Sequence, residues 1–143
     1  MPTSTANAVW TGDLEVGGGT FAAGSGAFQG AYSVPTRFQG AAGTNPEELI
    51  AAAHAACFSM ALAAGLTRGG TPPQQIATTA RCTIEQRDGG WAIATMELST
   101  RGRVPGIDQA GFEAAAEGAK QNCPVSKALA GNVTITVSAT LES

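Results

Sequence analysis

The cleanest periodicity lies at the end of the chain, where Val133, Ile135, Val137, Ala139 and Leu141 alternate with Thr134, Thr136, Ser138, Thr140 and Glu142. Successive side chains of a strand point to opposite faces, so this alternation predicts a strand with one apolar face. The same period places Ala80, Cys82, Ile84 and Gln86 opposite Arg81, Thr83, Glu85 and Arg87 and predicts another half-buried strand. Asp88-Gly89-Gly90 then turns the chain, which makes residues 91–101 a hairpin partner. Along that partner the apolar positions slip from Trp91 and Ile93 to Ala94, Met96 and Leu98, the signature of a bulge.

Helical signals fill the middle. Asn45 can act as an N-cap, Pro46 suits the first helical position, and Glu48 stands where a capping box places its carboxylate. Residues 49–64 contain no Asp, Glu, Lys or Arg. A helix that is apolar all round has to be surrounded, so this one is expected to be central. The uncharged run falls short of the roughly 20 residues of a membrane span. It also contains His54 and Ser59 and runs into Thr67-Arg68-Gly69-Gly70, so a soluble protein is expected. A second helix starts with Asp108 as N-cap, carries Phe112, Ala115, Ala116 and Ala119 at helical spacing, and stops near Cys123-Pro124. Pro124 restarts a short helix to Leu129. The first 44 residues read as short antiparallel strands between glycine-rich turns such as Gly17-Gly18-Gly19 and Gly24-Ser25-Gly26. Residues 32–38 are expected to be extended, with Arg37 on them, because Pro35 biases Val34 away from helix. The sum is an α+β architecture in a single domain, residues 1–143.

Composition narrows the class. Of the 143 residues, 43% are hydrophobic and only 13% charged, too apolar for a disordered chain and short of surface charge for a small monomer. A dimer would cover the central helix. The net charge is −3, and its eight basic residues form no stripe that could neutralise a phosphate backbone, so no nucleic acid partner is expected. The N-terminus lacks the pattern of a secretory signal, which points to the cytoplasm with no membrane association. Three cysteines and a single histidine supply neither a disulfide framework nor a four-ligand metal site, so no metal is expected; no organic cofactor is expected either.

The thiols are the remaining chemistry. Cys57 lies on the central helix with small neighbours Ala53, Ala61 and Ala64 on its face. A lone helix cysteine is ordinarily an inert core thiol, and position alone leaves that reading open. Cys123 precedes Pro124 at a helix start, where partial positive charge favours anions, although a cap-position cysteine can be incidental. Cys82 points inward on its strand and reads as core.

Longer stretches are more specific. Thr36-Arg37-Phe38, Gly43-Thr44-Asn45-Pro46-Glu47-Glu48-Leu49-Ile50, Ala52-Ala53-His54-Ala55-Ala56-Cys57-Phe58-Ser59-Met60-Ala61-Leu62 and Asn122-Cys123-Pro124-Val125-Ser126-Lys127-Ala128-Leu129 resemble the OsmC branch of the OsmC/Ohr family, in order and spacing along nearly the whole chain. The resemblance implies an intertwined homodimer in which antiparallel sheet wraps two long central helices. It implies a thiol peroxidase that reduces hydroperoxides, with Cys57 peroxidatic and Cys123 resolving. It further implies that Arg37 and Glu47 form the activating network around the sulfur, and that an external dithiol or lipoyl-bearing protein resets the disulfide. Helix geometry separates the adjacent glutamates: Glu48 points about 180° from Cys57 and can fold back on Asn45, whereas Glu47 points about 80° away. Some 15 Å of helical rise keeps Glu47 from meeting the Cys57 of its own helix, so at least one of Arg37 and Glu47 is expected to come from the partner chain. Two rivals stand beside this reading. One is a redox sensor or binding protein that forms the same disulfide without turnover. The other is a Cys-His hydrolase using His54 as base, against which His54 reads as a hydrogen-bonded interior residue.

Overall fold

Strands form where the sequence alternates, and the turn residues between them set their register. The computed structural model describes residues 1–142, which fall into two compact units, Met1–Leu49 and the chain from Ile50 onward. In the first, β1 (Ala6–Thr11), β2 (Gly18–Ala23) and β3 (Gln29–Tyr32) make an antiparallel three-stranded sheet in the order β1-β2-β3. Its rings cluster: Tyr32 lies 5.7 Å from Trp10 and 6.1 Å from Phe21, centroid to centroid. Every residue of β1 is exposed.

The expected extended segment at residues 32–38 is a helix instead, α1 (Val34–Phe38). Ser33 is its N-cap, and Ser33 and Thr36 form a reciprocal capping box. Pro35 in the first turn is compatible with helix because its missing N–H would be unpaired there in any case. The bias of Pro35 on Val34 was outweighed by that cap.

The long helix α2 (Pro46–Arg68) begins at the expected cap, where the Glu48 amide donates to Asn45 Oδ1 at 2.8 Å. The Glu48 carboxylate accepts from the Thr44 hydroxyl at 2.6 Å, a partner other than the Asn45 backbone. By length and composition alone α2 could cross a membrane. His54, Phe58, Leu62 and Leu66, spaced one turn apart, form a buried face that packs within the unit from Ile50 onward. The expectation that the helix is enclosed on all sides is not met within the chain: Ala52, Ala53 and Ala56 are exposed and Met60 is 76% exposed.

That unit is built on β4 (Gln75–Arg87), β5 (Gly90–Arg103) and β6 (Thr134–Leu141), in the order β4-β5-β6. Asp88 and Gly89, with φ of 46° and 82°, are the two central residues of the hairpin, and Asp-Gly is a pair that accepts positive φ at both positions. The expected bulge is present: Thr83 pairs with Thr95 but Ile84 with Ile93, leaving Ala94 as the extra residue. β6 pairs parallel to β5, so this sheet is mixed and not antiparallel throughout. The crossover carries α3 (Gln109–Asn122) and α4 (Pro124–Leu129), which supply the helical connection a parallel pair needs. Phe58, Leu62, Met96, Leu98, Phe112 and Cys123 lie at the centre of the core. A hydroxyl ladder also ties helix to sheet, from Ser59 to Thr78 at 2.7 Å and Thr78 to Thr100 at 3.0 Å.

Candidate active site

In the first unit, α1 ends with Arg37 in its last turn and α2 opens with Glu47 in its first. The guanidinium grips the carboxylate with both Nε and Nη2, at 3.1 Å and 2.6 Å. Glu47 is buried, whereas the Arg37 side chain is 37% exposed. The Arg37 Cζ also sits 5.2 Å from the centre of the Phe38 ring, so carboxylate and aromatic face together fix the fork. Nε and Nη2 of the fork are engaged, and its other N–H groups can still donate.

In the second unit, Cys57 projects from the middle of α2, and Cys123 forms both the C-cap of α3 and the N-cap of α4. The helix break at Asn122-Cys123-Pro124, where a proline cannot continue α3, leaves Cys123 fully buried in the core cluster with Phe58 and Leu62 of α2. Neither cysteine is in a disulfide, and Cys57 packs against the core cluster that contains Cys123. Burial pushes the Cys57 thiol up, and the contact with Cys123 raises it further. Burial also acts to raise Cys123, but Cys57, the Ser126 amide and hydroxyl, and the Val125 amide together outweigh it and leave that thiol below its ordinary value. These donors are loosely directed; Cys123 makes no formal side-chain cap bond to α4. The two thiols therefore differ in surroundings, with Cys57 pushed up by burial and Cys123 held down by the donors at the start of α4.

His54, one turn before Cys57 on α2, is fully buried, and its Nε2 lies 2.7 Å from Ser126 Oγ on α4. Burial lowers its pKa, so the ring is neutral. A ring engaged with Ser126 is an interior hydrogen-bonding group, as its sequence context suggested. Ser126 itself was not singled out from sequence; the available signal was its spacing from Cys123, one turn along α4. Cys82 lies inward on β4 beside the core.

Known proteins with similar sequence and fold are of one kind. The family model for OsmC-like protein matches residues 39–138. The chain is 46% identical over 127 residues to the Peroxiredoxin OsmC of Escherichia coli, covering 88% of this chain and 89% of that one. It is 35% identical over 136 residues to the organic hydroperoxide resistance protein of Xanthomonas axonopodis pv. citri, covering 93% and 92%. Among solved structures, an organic hydroperoxide resistance protein from Elizabethkingia anophelis superposes with a TM-score of 0.78 at 26% identity, over 99% of each chain. The protein belongs to the OsmC-like family, in which OsmC and organic hydroperoxide resistance proteins are its relatives.

Proposed function

We propose that this protein is a cytoplasmic, homodimeric thiol peroxidase, a single OsmC-like domain that reduces organic hydroperoxides by cycling Cys57 and Cys123 between dithiol and disulfide. The observation that carries the proposal is that Cys57 on α2 and Cys123 at the α3–α4 junction are both free thiols and pack in one core cluster. The names of the relatives, peroxiredoxin and organic hydroperoxide resistance protein, support the same chemistry.

In the proposed cycle the Cys57 thiolate attacks the O–O bond, the alcohol leaves, and a sulfenic acid remains on Cys57. Cys123 condenses with it to a disulfide, which an external dithiol or lipoyl-bearing protein reduces. A free thiol is only a few per cent ionised at neutral pH, so full ionisation can add at most about 30-fold to the rate, or about 2 kcal/mol. Arg37 therefore has a second role: its fork holds the peroxide oxygens and stabilises the departing alkoxide, a kind of interaction worth about 3 kcal/mol per donor. Glu47 positions that fork. Arg37 and Glu47 are joined within one chain, and about 15 Å of helical rise separates Glu47 from Cys57 along α2, so the pair that serves each Cys57 comes from the partner chain in this reading. Support for the dimer comes from the exposed apolar stripe of α2 and the uncovered strand β1. The two long helices at the centre of the dimer would be the two copies of α2.

Mass spectrometry after one equivalent of cumene hydroperoxide tests the reading. The expected product is a single Cys57–Cys123 crosslink. Cys57→Ser should leave the peroxide unconsumed, and Cys123→Ser should consume one equivalent and stop at sulfenic or sulfinic acid on Cys57. Equal survival of activity in both variants would overturn the assignment. A crosslink without steady-state turnover on added dithiol would make the protein a sensor.

A further inference from the structure

The two ring nitrogens of His54 have different fates. Nε2 is 2.7 Å from Ser126 Oγ, and both residues are buried. Nδ1 is buried with no partner among the described residues. A leucine at this position would leave no such orphan, so an imidazole here asks for a reason. The neutral ring carries one N–H, and orphaned buried N–H groups are rarer than orphaned acceptors. That places the hydrogen on Nε2, donated to Ser126 Oγ, and leaves a bare lone pair on Nδ1. A hydroxyl has a single hydrogen. With His54 occupying an acceptor site, the Ser126 hydrogen is free to point elsewhere, and Ser126 stands in the first turn of α4, three residues after its N-cap Cys123, where its hydroxyl is among the groups that hold that thiol below its ordinary value.

The geometry points to a donor chain, from His54 Nε2–H to Ser126 Oγ and from Ser126 Oγ–H to Cys123 Sγ, that holds the resolving cysteine as a thiolate. This rests on the peroxidase reading. His54 and Ser126 are positioning residues: neither touches the peroxide. Cys123 is fully buried, where a thiol without donors would stay protonated and inert. Once Cys57 carries a sulfenic acid, the Cys123 thiolate attacks the Cys57 sulfur. The S–S bond forms, the S–O bond breaks with its electron pair on oxygen, and the departing hydroxide takes a proton from solvent to leave as water. Ser126 keeps its hydrogen throughout. The loosely directed contact of the resting state would tighten as charge localises on Cys123.

The chain acts on the second chemical step and not the first, which separates it from a role in packing. In stopped-flow single turnover, Ser126→Ala should consume cumene hydroperoxide at the wild-type rate yet form the disulfide at least tenfold more slowly, the weight of one hydrogen bond to a charged group. More sulfinic acid should accumulate on Cys57. Ser126→Thr, which keeps the hydroxyl, should restore closure. His54→Gln, which keeps an N–H near the Nε2 position, should close faster than His54→Leu. Disulfide formation at the wild-type rate in Ser126→Ala would overturn the proposal, as would equal slowing of both steps. If the wild-type protein consumes no hydroperoxide, the peroxidase reading fails and the donor chain is judged by ultraviolet thiolate absorbance in a Cys57→Ala background. There Ser126→Ala should shift the appearance of the Cys123 thiolate upward by about one pH unit, and an unchanged titration would sink the donor chain.

Discussion

Two charge arrangements can be told apart at the level of single residues. The Arg37 fork takes Glu47 by two nitrogens at once, a geometry that a point ammonium cannot reproduce. Arg37→Lys is therefore expected to lower kcat/KM for organic hydroperoxide by roughly 100-fold, the scale of losing an oriented transition-state donor. A near-normal rate would reduce the role of Arg37 to its charge. His54 gives a second, independent handle because it is the only histidine. Its folded pKa lies below the unfolded value, so between the two the unfolded chain binds one more proton than the native protein. Stability should accordingly fall as pH drops below about 6.5, by at most about 1.4 kcal/mol per pH unit. Urea denaturation at pH 7 and at pH 5.5 measures this slope, and His54→Gln should flatten it before the carboxylates begin to titrate.

Among the elements, the fit of α3 to the sheet hangs on one small residue. A Cβ on Gly102 of β5 would lie 2.5 Å from Cζ of Phe112, a fully buried ring. Gly102→Ala must displace that ring or the strand, and a loss of about 1 to 3 kcal/mol in urea denaturation is expected; an unchanged midpoint would mean the ring has room to move. Elements with regular patterns were legible in advance. The β4–β5 bulge followed from the phase slip at Ala94, and the caps at Asn45 and Asp108 from residue type alone. What escaped was decided by contacts that sequence spacing does not show. The Ser33–Thr36 box made a helix of a segment that Pro35 suggested was extended, and β6 joined β5 in parallel, an orientation that alternation cannot encode. The site divides in the same way. The family resemblance proposed Cys57, Cys123, Arg37 and Glu47, and the structure joins Arg37 to Glu47 in one unit and packs Cys57 near Cys123 in the other. Ser126 could not be found, because its contact with His54 joins positions far apart in sequence.

For the whole molecule, the decisive feature is what α2 leaves uncovered. Ala52, Ala53, Ala56 and Met60 make an apolar stripe on a helix whose opposite face is already committed to the core. A stripe of small residues allows helices to approach closely, and removing it from water is the natural drive for a second copy to pack there. If the proposed dimer uses this stripe, one carboxylate placed in it should break the assembly without touching the core. Met60 is the site of choice because it is 76% exposed within the chain, so Met60→Glu should fold normally by circular dichroism. An unpaired buried charge costs several kcal/mol, and each 1.4 kcal/mol is tenfold in affinity, so dimer dissociation should rise by 100-fold or more in sedimentation equilibrium. The chemical consequence follows from shared machinery. In the proposed site a monomer would lose the Arg37–Glu47 pair that its partner supplies, and with it the cation that favours the Cys57 thiolate. Peroxide consumption should then fall together with the dimer fraction and recover at high protein concentration. A Met60→Glu monomer with the wild-type peroxidase rate would show that each chain carries a complete site and that the second copy is dispensable.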